Sequence, residues 1–259
     1  MSFFRSQPGA SALSALLFLA LPALGLAAQG IGLNHEEEYG ACLRLSIDDP
    51  EQALQSALIW KDQGGDAPAE HCAALALISL GRYGEAGDRL LELADNLESG
   101  RVKLRAEVLA QAAQARFLSG DLSDAARIQG RALDLAPDNI ELWIDRALTL
   151  AANQQYWEAI DDLNEANTLD ASRSDVLIYR ANAYRHLETY ELAMEDIATA
   201  LSLEPDNVDA LLERGNLFRL LGQEEAARDD WVRVTTQAPD SPAAAAAQTN
   251  LEMLDVRIE

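Results

Sequence analysis

Four segments end successive helical stretches: Pro137-Asp138-Asn139, Ala171-Ser172-Arg173, Pro205-Asp206-Asn207 and Pro239-Asp240-Ser241, each 34 residues after the last. A fixed interval of this size means one helical hairpin has been copied and stacked, because a single hairpin cannot bury its apolar face alone. The interval therefore constrains the fold more than any single motif in the chain does. A stacked array is mostly surface, and its usual work is to hold something.

Aligned on those endings, the clear units run 106–139, 140–173, 174–207 and 208–241. The eighth position is always small: Ala113, Ala147, Ala181 and Gly215. The twentieth is Ala125, Ala159, Ala193 and Ala227, and the twenty-seventh is Ala132, Ala166, Ala200 and then Val234. Small residues recurring there let two antiparallel helices approach closely, while Leu135, Leu169 and Leu203 fill the space toward the next hairpin. Gly120 and Gly222 mark turns between paired helices, and the Pro-Asp-Asn endings break one helix and cap the next. The chain is rich in Ala, Leu, Asp, Glu and Arg and poor in strand formers, which agrees with helices throughout.

With Tyr156 and Tyr190 at the seventeenth position and Pro137, Pro205 and Pro239 at the thirty-second, this pattern closely resembles the tetratricopeptide repeat (TPR). The resemblance covers 106–241, with departures in the last unit, which has Glu224 in place of the turn tyrosine and ends its helix at Gln237-Ala238. Upstream, Tyr83-Gly84-Glu85-Ala86 reads as the turn and second helix of a unit starting near Ala67, with Ala74 and Ala86 in the small positions and extra residues around Asn96–Gly100. Tyr39–Leu45 and Pro50–Lys61 read as one more hairpin, with Ala41 and Ala53 in equivalent places. Residues 34–100 are thus two divergent hairpins, and 242–259 a capping helix and tail that covers the last apolar face. The resemblance implies an all-α, right-handed α-solenoid of about six hairpins.

The N-terminus reads differently. Arg5, an apolar run from Ser11 to Leu24 containing Pro22, and the small residues Gly25-Leu26-Ala27-Ala28 make a secretory signal peptide over 1–27, cleaved after Ala27 or, as the near alternative, after Ala28. An uncleaved anchor is the weaker reading, because about 20 apolar residues span a bilayer and this run is interrupted by proline. The expectation is an exported, periplasmic chain without stable membrane insertion after cleavage. A formal charge of −23 repels nucleic acid and anionic membranes, and it favours basic partners or simple solubility.

Comparison of the units sorts the charges. Arg146, Arg180 and Arg214 hold the seventh position, and Asp162, Asp196 and Asp230 the twenty-third of the same units. Units with Ala73 or Ala112 at the seventh position lack the acid too, having Arg89 and Ile128. Joint presence and absence indicates a structural ion pair across each hairpin. The resemblance further implies that first helices line the concave face at the second, fifth, ninth, twelfth and thirteenth positions. Carried over, these places give Gln114, Asn182, Arg185, His186, Asn216 and Arg219 as candidates for binding an extended peptide. Asparagine can bond a peptide backbone and arginine can grip a carboxylate, so the peptide would carry an acidic side chain or a free C-terminus. Glu107, Glu141, Asp175 and Asp209 begin first helices, where they offset the helix dipole and give the groove a negative rim that would instead favour basic peptides.

Cys42 and Cys72 fall on first helices of neighbouring units, and in an exported chain a disulfide between them is the preferred reading. A metal site from His35, Cys42, His71 and Cys72 is the alternative, although its spacing matches no strong metal pattern. There is no phosphate loop, no paired metal-binding histidines and no nucleophile elbow, so no enzyme and no cofactor are expected. The sequence therefore predicts a non-enzymatic scaffold that binds a protein or peptide in its groove. A self-associating structural component of a cell-envelope assembly is the alternative.

Overall fold

A computed structural model describes residues 33–255, with side chains from Glu36 onward. The signal-peptide segment, the side chain of His35 and the tail beyond Asp255 lie outside the described residues. The described chain holds thirteen α-helices and no strands, in two compact units that meet in sequence at Asp170 and Ala171.

The N-terminal unit contains α1 (Leu33–Asp48), α2 (Pro50–Trp60), α3 (Asp66–Ser79), α4 (Tyr83–Asn96), α5 (Val102–Leu118), α6 (Leu122–Leu135), α7 (Ile140–Ala152) and α8 (Tyr156–Leu169). A kinked turn, Lys61–Gly65, in which Gly64 takes a left-handed conformation (φ 93), joins α2 to α3. Consecutive helices pack pairwise, and first helices also touch across hairpins, as α1 does on α3. Leu90, Val108, Leu109, Ile128 and Leu133 form one buried cluster, and Cys42, Leu54, Cys72 and Leu77 another.

The C-terminal unit contains α9 (Ser174–His186), α10 (Tyr190–Leu203), α11 (Val208–Leu220), α12 (Glu224–Gln237) and α13 (Pro242–Asp255). α13 packs on α12 and α11, as α11 packs on α10 and α9. It buries Ala243, Ala244, Ala247 and Leu254 and exposes Ala245, Gln248, Thr249 and Glu252. One apolar edge packs on the stack while the outer edge, largely polar although it includes Ala245 and Met253, faces water, which suits a helix that closes an array. Within each unit the fold is a TPR-like stack of antiparallel hairpins.

Local chemistry explains the helix boundaries. Asn139 accepts from the Glu141 amide, and Asn207 from the Asp209 and Ala210 amides, so each caps the helix that follows. Where the chain has Arg173 instead of a cap, the guanidinium holds Asp175 with two bonds of 2.8 and 2.6 Å. That contact keeps the Asp175 carboxyl below its usual range. The turn inside each hairpin needs a left-handed residue at the fifteenth position, supplied by Gly120 (φ 86) and Gly222 (φ 76). In the intervening units Gln154 (φ 63) and Glu188 (φ 59) accept that conformation at some cost.

Arg146, Arg180 and Arg214 each reach across their hairpin to Asp162, Asp196 and Asp230 through two hydrogen bonds of 2.6 to 2.8 Å. The carboxylates are buried and bonding to them raises each guanidinium above its ordinary value, so these groups hold the hairpins together. In the unit with Arg89 the polarity is reversed, because Arg89 on α4 bonds Glu70 on α3 at 2.8 Å. In the next unit Ile128 is part of the core instead.

Candidate functional site

The first helices of the C-terminal unit carry most of the candidate side chains. Asn182, Arg185 and His186 lie on α9, and Asn216 and Arg219 on α11 at matching register. Arg185 ion-pairs with Glu213 of α11, a carboxylate only 7% exposed. The Asn216 amide donates to Glu213 at 3.3 Å, and its carbonyl accepts from Asn250 of α13 at 2.9 Å. A polar chain therefore runs from α9 through α11 to α13. Arg185 is thus neutralised by Glu213, whereas Asn216, bonded once at each end of its amide, keeps a second N–H and a second oxygen lone pair.

Asn182 is half-buried at the matching point of α9. His186 is exposed, and its imidazole is lowered from its ordinary value by burial of its surroundings first and by the Arg185 charge second. Arg219 stands apart. Its Nε is buried and has no hydrogen-bond partner. In the N-terminal unit Gln114 is exposed on α5. On α7 of the same unit, the Asp145 carboxyl is pushed up to about 6 by desolvation and then by the like charge of Glu141.

Glu213 and Asn250 were missed by sequence reasoning, although both were accessible to it. Glu213 is at the sixth position of its unit, and Asn250 follows Asn216 by one repeat, so extending the register past Pro242 would have found it.

The disulfide Cys42–Cys72 links α1 to α3, with the Cα atoms 6.2 Å apart. Beside it His71, 3% exposed, bridges Tyr39 of α1 and Gln111 of α5. With its proton on Nε2, His71 donates to Gln111 Oε1 at 2.7 Å and accepts the Tyr39 hydroxyl at Nδ1 at 2.6 Å. Both cysteines and His71 are committed to these bonds, so the metal site considered from sequence is not assembled. Among the described residues, no group of three His, Cys, Asp or Glu side chains could hold a metal.

Burial holds the His71 imidazole below its ordinary value, opposed by the Gln111 bond. The folded state therefore binds this proton less readily than the unfolded chain. Its contribution is present in full above the unfolded value near 6.5 and is lost as pH falls toward the folded value. Thermal melting from pH 8 to pH 5 should show an acid-side decline that is shallower in His71→Gln. Parallel profiles for both proteins would contradict this account.

Residues 175–207 match the tetratricopeptide repeat family. Among solved structures, MamA 41-end from Desulfovibrio magneticus RS-1 superposes with a TM-score of 0.58 at 20% identity, over 68% of this chain and 97% of that one. A crystal structure of MamA gives 0.54 at 16% identity, over 63% and 92%. MamA AMB-1 gives 0.51 at 20%, over 64% and 95%. At these identities the likeness is one of fold. No curated protein matches the sequence. Among the described residues, no helix is long and apolar enough to cross a membrane.

Proposed function

We propose that this tetratricopeptide-repeat protein is an exported, non-enzymatic interaction scaffold, and that it holds a peptide or protein segment against the first-helix face of its C-terminal unit. The observation that carries the reading is the polar composition of that face: Asn182 and Asn216 recur one repeat apart, and the cation of Arg219 lies beside them without an internal partner. Amides spaced along parallel helices suit an extended backbone, which presents a donor and an acceptor at every residue. Export is supported by the basic, apolar and small-residue order of 1–28 and by the Cys42–Cys72 bond, which persists in oxidising compartments such as the periplasm.

Cross-linked pull-down from the cell envelope tests the reading, with Asn182→Ala/Asn216→Ala beside the native chain and melting temperatures recorded for both. A specific partner should be recovered by the native chain and severalfold less by a folded double variant. Equal recovery would remove the groove. Fractionation tests export, which requires a shortened chain released with the periplasm.

A further inference from the structure

Trp157, in the first turn of α8, is 57% exposed. It holds the eighteenth position of its unit, where the other units have Gly84, Ser123, Glu191 and Glu225. The hairpin therefore packs without an aromatic ring at that place, and hairpin formation does not account for the indole. Elsewhere the protein covers such rings with its own cations: Arg146 stacks on Trp143, and Arg214 on Phe218. Among the described residues no cation stacks on Trp157.

The face that carries the indole is acidic. Trp157, Asp161, Asn164 and Thr168 fall on one exposed stripe of α8, with Glu158 and Glu165 along its edge. The chain has no Lys, Arg or His between Arg146 and Arg173, and Arg146 is spent on the buried Asp162. Among the described residues neither Asp161 nor Glu165 is in an ion pair. Burial raises the Asp162 carboxyl and Arg146 opposes that, while the like charges of Asp161 and Glu165 raise it further. On α6 the same twenty-second and twenty-sixth positions hold Arg127 and Arg131, each paired with an acid, Asp124 and Asp95. The second helix of the next hairpin thus replaces two answered cations with two unanswered carboxylates, and sets an open indole beside them.

We propose that the outward face of α8 docks a basic α-helix of a partner protein, with one arginine on Trp157 and those of the following turns on Asp161 and Glu165. The three side chains follow one another at four-residue intervals, about 6 Å apart along α8, and arginines four residues apart on a second helix match that spacing. A planar guanidinium suits both kinds of contact, stacking on the ring and gripping a carboxylate with two N–H groups. An exposed tryptophan is also the side chain best able to anchor an interface. An extended chain fits less well, because this face offers no row of backbone groups to pair with its own. The formal charge of −23 steers a basic partner toward the protein, and the indole and its two carboxylates decide where it lands. This surface lies on a second helix of the N-terminal unit, so the inference does not depend on the groove of the C-terminal unit.

The test follows the four indole N–H signals of the nitrogen-15-labelled protein, Trp157 being assigned by its loss in Trp157→Ser. The probe is acetyl-(Ala-Gln-Ala-Arg)4-amide, a helix former, and the control is acetyl-(Gly-Ser-Gly-Arg)4-amide, which has the same charge without the helix. The helical peptide should shift the Trp157 signal saturably, leave the other three in place, and bind severalfold more tightly than the control. Trp157→Ser and Asp161→Asn/Glu165→Gln should each weaken it at least about fivefold, read from the α8 backbone amides. Glu191→Gln/Glu195→Gln removes the same charge from exposed positions of α10 and should change binding less than about twofold. Melting temperatures confirm that each variant is folded. A Trp157 signal that ignores the peptide, equal binding of the flexible control, or equal weakening by the α10 pair would overturn the proposal. A signal that moves with protein concentration alone, alongside a rising mass in light scattering, would overturn it in favour of a second copy of this chain.

Discussion

Arg180→Ala should destabilise the C-terminal unit by about 3 kcal/mol, more than the double variant Arg180→Ala/Asp196→Ala. The Asp196 carboxylate side chain is 10% exposed and takes two bonds from Arg180, at 2.8 and 2.6 Å. Removing the arginine leaves a buried charge without compensation, and that penalty exceeds whatever the intact pair gained. Asp196→Ala should cost less, because the Arg180 side chain is 16% exposed and can turn its head toward water. Removing both partners takes away the attraction together with the penalty. Urea unfolding of the four proteins gives the coupling, expected at about 1–3 kcal/mol. Coupling near zero would mean that the pair is an ornament of the hairpin rather than its clasp.

Gly215→Ala should destabilise the native protein yet stabilise the Trp231→Ile variant. At the eighth position the other aligned units have alanine, and at the twenty-fourth position, facing it, they have Leu90, Gln129, Leu163 and Ile197. Only the last unit combines glycine with tryptophan. A Cβ on Gly215 would lie 2.5 Å from Trp231 Nε1 and 2.7 Å from Cδ1, so the indole would have to move. Overpacking of this kind costs about 1–3 kcal/mol. Alanine returns about 1 kcal/mol of helix propensity, and the balance is a net loss. Trp231→Ile alone should cost about 3 kcal/mol through the cavity it leaves, reduced somewhat because the buried indole N–H has no partner to lose. In that background the alanine methyl fills space that is otherwise empty, reproducing the Ala181–Ile197 pair of the unit before. Thermal melting of the four proteins reads the sign in each background. The same sign in both would show that the two residues do not share one space.

The ion pairs and the candidate groove were legible to different degrees. The seventh and twenty-third positions of one unit face each other in every hairpin, so a side chain present at both in the same three units could be read from the register alone. The exchange of charge between Glu70 and Arg89 was hidden, because Glu70 lies at the fourth position and not the seventh. Arg116 was hidden for a related reason. It leaves α5 to ion-pair with Asp88 of α4 and with Asp124 of α6 at 3.0 Å, so it serves two hairpins at once. In the groove, the asparagines were visible from their spacing, but their availability was not.

The sequence by itself determined where helices begin, turn and end, and that the hairpins repeat. Those features depend on contacts within a few residues: Asn139 and Asn207 bonding the amides just after them, glycine at the left-handed turns, and small residues at a fixed spacing. Tertiary structure alone decided which polar groups are already satisfied. Arg185 and Arg219 occupy the same register and look alike in sequence. Arg185 is answered by Glu213 on the next first helix, whereas the Arg219 Nε is buried with no hydrogen-bond partner. His71 likewise becomes a buried bridge only when α1 and α5 bring Tyr39 and Gln111 to its two nitrogens. A hydrogen bond is directional and short, so its partner is chosen by how helices pack and not by the period that builds them.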